Sequence, residues 1–123
     1  MVVDDNVDAA QTLQVLLQAH GHHVRVFHRA REALDALVAQ PSQVAFLDIG
    51  LPDMTGYDLA RQLRVRLNAR TGVLAALSGY GQPRDFAASR EAGLDFHLVK
   101  PLEQAALLEV LASAGGRRAV DAG

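Results

Sequence analysis

The chain has 123 residues, no cysteine, 12 Lys plus Arg against 14 Asp plus Glu, a formal net charge of −2 and 50% hydrophobic residues. That is one domain with enough apolar mass for a core, and it excludes a disulfide scaffold, thiolate metal sites and cysteine nucleophiles. The balanced charge gives no reason to expect nucleic acid or an anionic membrane as partner; with no apolar run near the roughly 20 residues of a membrane span and no signal-peptide pattern, the expected location is cytoplasmic, on a parent protein that could itself be membrane-anchored.

Met1-Val2-Val3 opens the chain as a short apolar run and predicts a strand. A helix follows, with Leu13, Leu16, Leu17 and His20 on one face and Gly21 as its stop. Val24-Arg25-Val26-Phe27 predicts a second strand; Ala30, Ala33, Leu34, Leu37 and Val38 mark a second helix that ends before Pro41-Ser42. Val44-Ala45-Phe46-Leu47 is the third strand, and Leu59, Ala60, Leu63 and Leu67 mark the third helix. Thr71-Gly72 precedes a fourth strand, Val73-Leu74-Ala75-Ala76-Leu77. Residues 83–92 form a weak fourth helix whose single large apolar residue is Phe86, stopped by Gly93. Phe96-His97-Leu98-Val99 is the fifth strand, and a last helix covers 103–114. Residues 115–123 carry no periodic apolar face and read as a flexible tail beyond a domain of residues 1–114. Uniformly apolar strands alternating with helices argue an α/β domain of five (βα) units, a doubly wound parallel sheet covered on both faces.

In such a sheet ligands bind beyond the carboxyl ends of the strands. Asp4 and Asp5 follow the first strand, Asp48 the third, Ser78 the fourth and Lys100 the fifth, with His28 at the sheet margin. Three carboxylates, a hydroxyl and an ammonium therefore converge on one edge. The carboxylates repel one another, so a hard divalent cation with oxygen ligands, Mg²⁺ (or Mn²⁺), suits the site. Asp48, in the middle, is placed to be the nucleophile of an acyl-phosphate reaction, with Lys100 and Ser78 available to phosphate oxygens.

Val2-Val3-Asp4-Asp5-Asn6, Phe46-Leu47-Asp48-Ile49-Gly50-Leu51-Pro52-Asp53-Met54-Thr55-Gly56, Leu77-Ser78-Gly79 and Leu98-Val99-Lys100-Pro101 occur in one order over nearly the whole chain. In these segments the chain resembles the receiver domain of two-component response regulators. The resemblance implies a flavodoxin-like sheet of order 2-1-3-4-5. It implies that Asp48 accepts a phosphoryl group from a histidine on a sensor histidine kinase or a histidine phosphotransfer domain. Asp5, Asp48 and the backbone carbonyl of Gly50 would ligate Mg²⁺, with Asp4 acting through water. Ser78 takes the place of the hydroxyl residue that turns toward the phosphoryl group, Lys100 pairs with that group, and the Lys100–Pro101 bond is expected to be cis. His97 stands where the family usually has an aromatic residue that alternates between inward and outward positions; a histidine there departs from the pattern. Downstream partners of the family dock on the face of helix four, strand five and helix five, and donors near helix one, where Val15 interrupts a polar face.

Asp53 and Asp58 read as cap or turn residues, and the remaining histidines as surface or half-buried groups without metal-ligand spacing. The basic stretch of Arg61, Arg64, Arg66 and Arg70 reads as a solvated face. Two rivals share part of the pattern: a small aspartate-nucleophile phosphatase, which needs a second Asp where Asn6 stands, and an interaction module that no longer accepts phosphate. The run from Gly79 to Pro83, with Ala92 to Pro101, looks most like receivers at the C-terminal end of hybrid sensor histidine kinases; a stand-alone regulator is the alternative. With only three residues ahead of the acidic pair, the first strand sets the expectation that the chain is cut from a longer protein, or starts at a misassigned residue.

Overall fold

Val73–Ser78 is buried along its whole length, and its residues alternate between two apolar layers. Leu74 and Ala76 face one layer; Val73, Ala75 and Leu77 face the other. A strand sandwiched this way needs apolar residues on both faces, which is why its hydropathy shows no alternation. In this computed structural model, which describes residues 1–122 and side chains through Ala114, that strand is one of five in a parallel sheet.

The elements are β1 (Val2–Val3), α1 (Val7–Ala19), β2 (Val26–Phe27), α2 (Ala30–Ala39), β3 (Val44–Asp48), α3 (Gly56–Leu67), β4 (Val73–Ser78), α4 (Pro83–Ala92), β5 (Phe96–Val99) and α5 (Gln104–Ala122), with a 3₁₀ turn at Asn68–Arg70. The order is β2-β1-β3-β4-β5, as the resemblance implied. Leu34, Leu37, Leu59 and Leu63 of α2 and α3 pack on the face that carries Val3 and Leu47. Leu13 and Leu17 of α1, with Leu107 and Val110 of α5, pack on the face of Val2, Phe46 and Leu98.

Boundaries differ from the sequence reading where capping decides them. The side chain of Asn6 accepts from the Ala9 N–H at 3.0 Å, so α1 starts at Val7, and Thr55 does the same for α3 through Asp58. β2 is shorter than the apolar run, because only Val26 and Phe27 pair with β1. His20, placed on the apolar face of the first helix, is exposed at its C-terminal end. β3 and β4 each extend one residue further than their apolar runs, so Asp48 and Ser78 are the last residues of strands. α5 continues past Ala114; the side chains of 115–122, and Gly123 altogether, lie outside the described residues, and so does the flexible tail expected there.

Candidate acidic phosphoacceptor site

The register of the three central strands sets the site. Val3 pairs with Leu47 and Asp48 with Leu77, so Asp4, Asp48 and Ser78 leave the sheet at nearly one level. Ser78 pairs with Val99, and the Lys100 N–H donates to the Ser78 carbonyl at 2.7 Å, which brings the lysine to the same edge. Gly56 fixes the far side of Asp48: a Cβ there would lie 2.6 Å from the Asp48 carbonyl oxygen, so only glycine lets α3 start this close to β3.

Asp4, Asp5 and Asp48 each place a carboxylate oxygen within 4.8 Å of the others. Asp4 and Asp48 are buried and Asp5 is exposed, so the cluster has two covered carboxylates and one open to solvent. At that spacing each pair of full charges repels by roughly 3 kcal/mol with an effective dielectric near 20. The Lys100 ammonium answers with contacts of 3.4 Å to Asp4 Oδ2 and 3.7 Å to Asp48 Oδ2. One cation against three anions is not enough. Burial, with Asp4 alongside, pushes the Asp48 carboxyl up to about 6, against the pull of the Gly50 N–H and Lys100. This donor set, all oxygen and short of positive charge, fits a hard divalent cation. Asp4, Asp5 and Asp48 bring the carboxylates that could hold it; the Gly50 N–H donates to Asp48 Oδ1 at 3.2 Å and orients that carboxylate.

Smaller contacts hold the acidic turn. The Asn6 N–H donates to Asp4 Oδ1 at 3.0 Å. His28, left at the sheet margin by the sequence, sets its Nδ1 2.8 Å from the Asp4 carbonyl oxygen. Because a carbonyl only accepts, that nitrogen carries the proton. Lys100 itself is the single lysine among twelve basic residues.

Ser78 is buried, and its Oγ accepts from the Tyr80 N–H at 3.0 Å. The Lys100–Pro101 bond is cis. His97 lies half-buried between Ser89 and the Tyr80 carbonyl. Val15 on α1 is 65% exposed, and Phe86 on α4, Val99 on β5 and Leu108 on α5 are exposed apolar residues as well. Among the described residues no helix is long and apolar enough to cross a membrane.

A family model described as the response regulator receiver domain matches residues 1–112. The chain is 33% identical over 114 residues to the sensory/regulatory protein RpfC of Xanthomonas campestris, covering 91% of the chain and 16% of RpfC. It is 37% identical over 100 residues to the transcriptional regulatory protein CreB of Escherichia coli, covering 81% of the chain and 43% of CreB. It thus spans less than half the length of either. Among solved structures it is similar to the chemotaxis protein CheY4 of Vibrio cholerae, with a TM-score of 0.83, 26% identity and coverage of 92% and 94% of the two chains. A response regulator from Chloroflexus aurantiacus gives a TM-score of 0.85, 27% identity and coverage of 92% and 93%.

Proposed function

The chain belongs to the response regulator receiver family of two-component signalling, and from that membership we propose that Asp48 is its phosphoacceptor. The observation that carries this is the carboxylate cluster of Asp4, Asp5 and Asp48 with the Lys100 ammonium inside it. An Asp48 oxygen attacks the phosphorus of a phosphohistidine on a sensor histidine kinase or phosphotransfer domain. A P–O bond forms, the P–N bond breaks, and its electron pair returns to the donor's imidazole. Asp5, Asp48 and the Gly50 carbonyl would hold Mg²⁺ (or Mn²⁺), with Asp4 acting through water. When bound, the ion offsets negative charge on the carboxylates and on the transferred group. Lys100 pairs with a phosphoryl oxygen, and the Ser78 hydroxyl turns to donate to another. That turn breaks its bond to the Tyr80 N–H and carries the following loop with it.

Incubation with a small acyl phosphate should label the protein in a Mg²⁺-dependent way, and Asp48→Asn should abolish labelling. Equal labelling of the two proteins overturns the assignment. Turnover of an external phosphomonoester would instead support the phosphatase reading, and failure to bind beryllofluoride the interaction-module reading.

Donor docking belongs on α1 around Val15, whose exposure supports it. Val15→Asp should slow transfer from the cognate donor at least tenfold while leaving labelling by the small acyl phosphate unchanged. Output belongs on the face of α4, β5 and α5. The alignment with a short stretch of a long sensory/regulatory protein supports a place within a hybrid sensor kinase; a stand-alone regulator is the alternative. The coding sequence upstream of Met1 decides between them.

A further inference from the structure

His97 makes two hydrogen bonds, one at each ring nitrogen. Nε2 lies 2.8 Å from the Tyr80 carbonyl oxygen, and Nδ1 lies 2.6 Å from Ser89 Oγ. A carbonyl oxygen can only accept, so Nε2 carries a proton. In the neutral ring Nδ1 is then the acceptor, and the buried Ser89 hydroxyl donates to it. The Tyr80 N–H in turn donates to Ser78 Oγ at 3.0 Å. Donors therefore point one way along the series Ser89, His97, Tyr80, Ser78, from the middle of α4 through β5 and the loop to the site hydroxyl. Tyr80 is held at both ends of its backbone although its side chain is exposed. Two packing contacts seat the series. The Phe86 ring lies 4.7 Å from the His97 ring at a 58° tilt. Gly81 runs so close over β5 that a Cβ on it would meet Val99 Cγ2 at 2.8 Å.

We propose that His97 is a positioning residue which, in the proton arrangement Nε2–H with Nδ1 accepting, clamps the Tyr80 carbonyl and Ser89 together and so keeps the Ser78 hydroxyl on the Tyr80 N–H until phosphorylation. A phenyl ring has no polar group to offer here, and a phenol has one polar atom at the far end of its ring where the imidazole has two nitrogens on separate sides. This rests on the phosphoacceptor reading only for its consequence; the clamp itself is a property of the unphosphorylated chain.

The test uses the 123-residue chain with His97→Phe, which keeps a ring and removes both bonds, and His97→Gln, whose amide keeps a donor near the Nε2 position. Long-range proton–nitrogen spectra of the imidazole should show the Nε2–H tautomer in the unphosphorylated protein. Hydrogen exchange of the Tyr80 amide should quicken about fivefold in His97→Phe, the equivalent of one ordinary hydrogen bond, and return toward the parent rate in His97→Gln. Beryllofluoride with Mg²⁺ should bind His97→Phe more tightly by a similar factor, because less must be broken to turn Ser78. An Nδ1–H tautomer overturns the clamp, and so does a His97→Phe protein with parental Tyr80 exchange. If no form binds beryllofluoride, the phosphoacceptor reading fails, while the tautomer and exchange still decide the clamp.

Discussion

Asp48 sits beside Asp4 with too little positive charge around it, and its stability cost depends on pH. Its folded value of about 6 lies above the ordinary 3.8. Below about pH 4 the carboxyl is protonated in both the folded and unfolded chain. As pH rises through about 6 the unfolded chain has already released a proton that the folded one still holds, so stability is lost across that window. In Mg²⁺-free buffer, Asp48→Asn should therefore be the more stable protein by an amount that grows between pH 4 and 6 and levels off near 3 kcal/mol, an order-of-magnitude figure. Urea titrations at several pH values check this, and a difference independent of pH would sink the argument. At this scale the sequence was most readable for residues that end strands. Asp4, Asp48, Ser78 and Lys100 come together because parallel strands deliver their ends to one edge. The partners of His97 and His28 were not readable, since Tyr80, Ser89 and the Asp4 carbonyl meet those rings only after strands distant in sequence have paired.

Helix termini show the same limit among elements. α2 has Arg29 at its N-cap, which makes no side-chain cap bond. Asp53, from the loop after β3, caps it instead: its two oxygens accept from the Ala30 and Arg31 N–H groups at 2.9 Å each. These bonds hold the Asp53 carboxyl below the usual range. Local pattern identified Asp53 as a cap or turn residue but could not say which helix it served, because the capped helix precedes it by more than twenty residues. Asp53→Ala should cost about 1 kcal/mol in denaturant unfolding, with Asp53→Asn losing less. The difference should shrink as pH falls through the carboxylate range, since protonation removes the favoured acceptor. α4 is held unequally at its two ends. Its C-terminal Gly93 has φ +94° and offers its carbonyl to Arg64 Nε and Nη2 at 2.8 and 2.6 Å, while Arg64 also reaches Asp95 at 2.9 Å. In its N-terminal half the Phe86 ring rests on His97 and is itself only half-covered. If phosphorylation turns Ser78 as proposed, α4 responds from a C-terminal end pinned by Arg64, which favours pivoting over sliding.

In the 123-residue polypeptide the sheet has two ends with opposite electrostatic problems. At one lies the acidic cluster. At the other, the Met1 amino group donates to the Val44 carbonyl at 2.8 Å inside the sheet, beside a cavity of about 490 Å³ lined by residues that include Leu17, Val24 and Leu111. Burial, helped by the Arg25 guanidinium, pushes that amine down to about 5 from 8.0. Between those values the unfolded chain binds a proton that the folded chain does not, so stability rises with pH from about 5 to 8 and is flat above. An N-acetylated chain keeps the N–H donor and carries no such charge, so it should lose this slope, by an amount on the order of 3 kcal/mol at pH 5. Chemical denaturation of the free and acetylated chains between pH 5 and 8 measures it; parallel curves would refute it. That leaves Lys100 as the one ammonium side chain in the protein, about a third exposed and seated among the carboxylates. On the N-acetylated chain, any acylating or carbamylating reagent that reaches it meets no other amine as a decoy, so adduct formation on that polypeptide, read as mass, doubles as a footprint of the site.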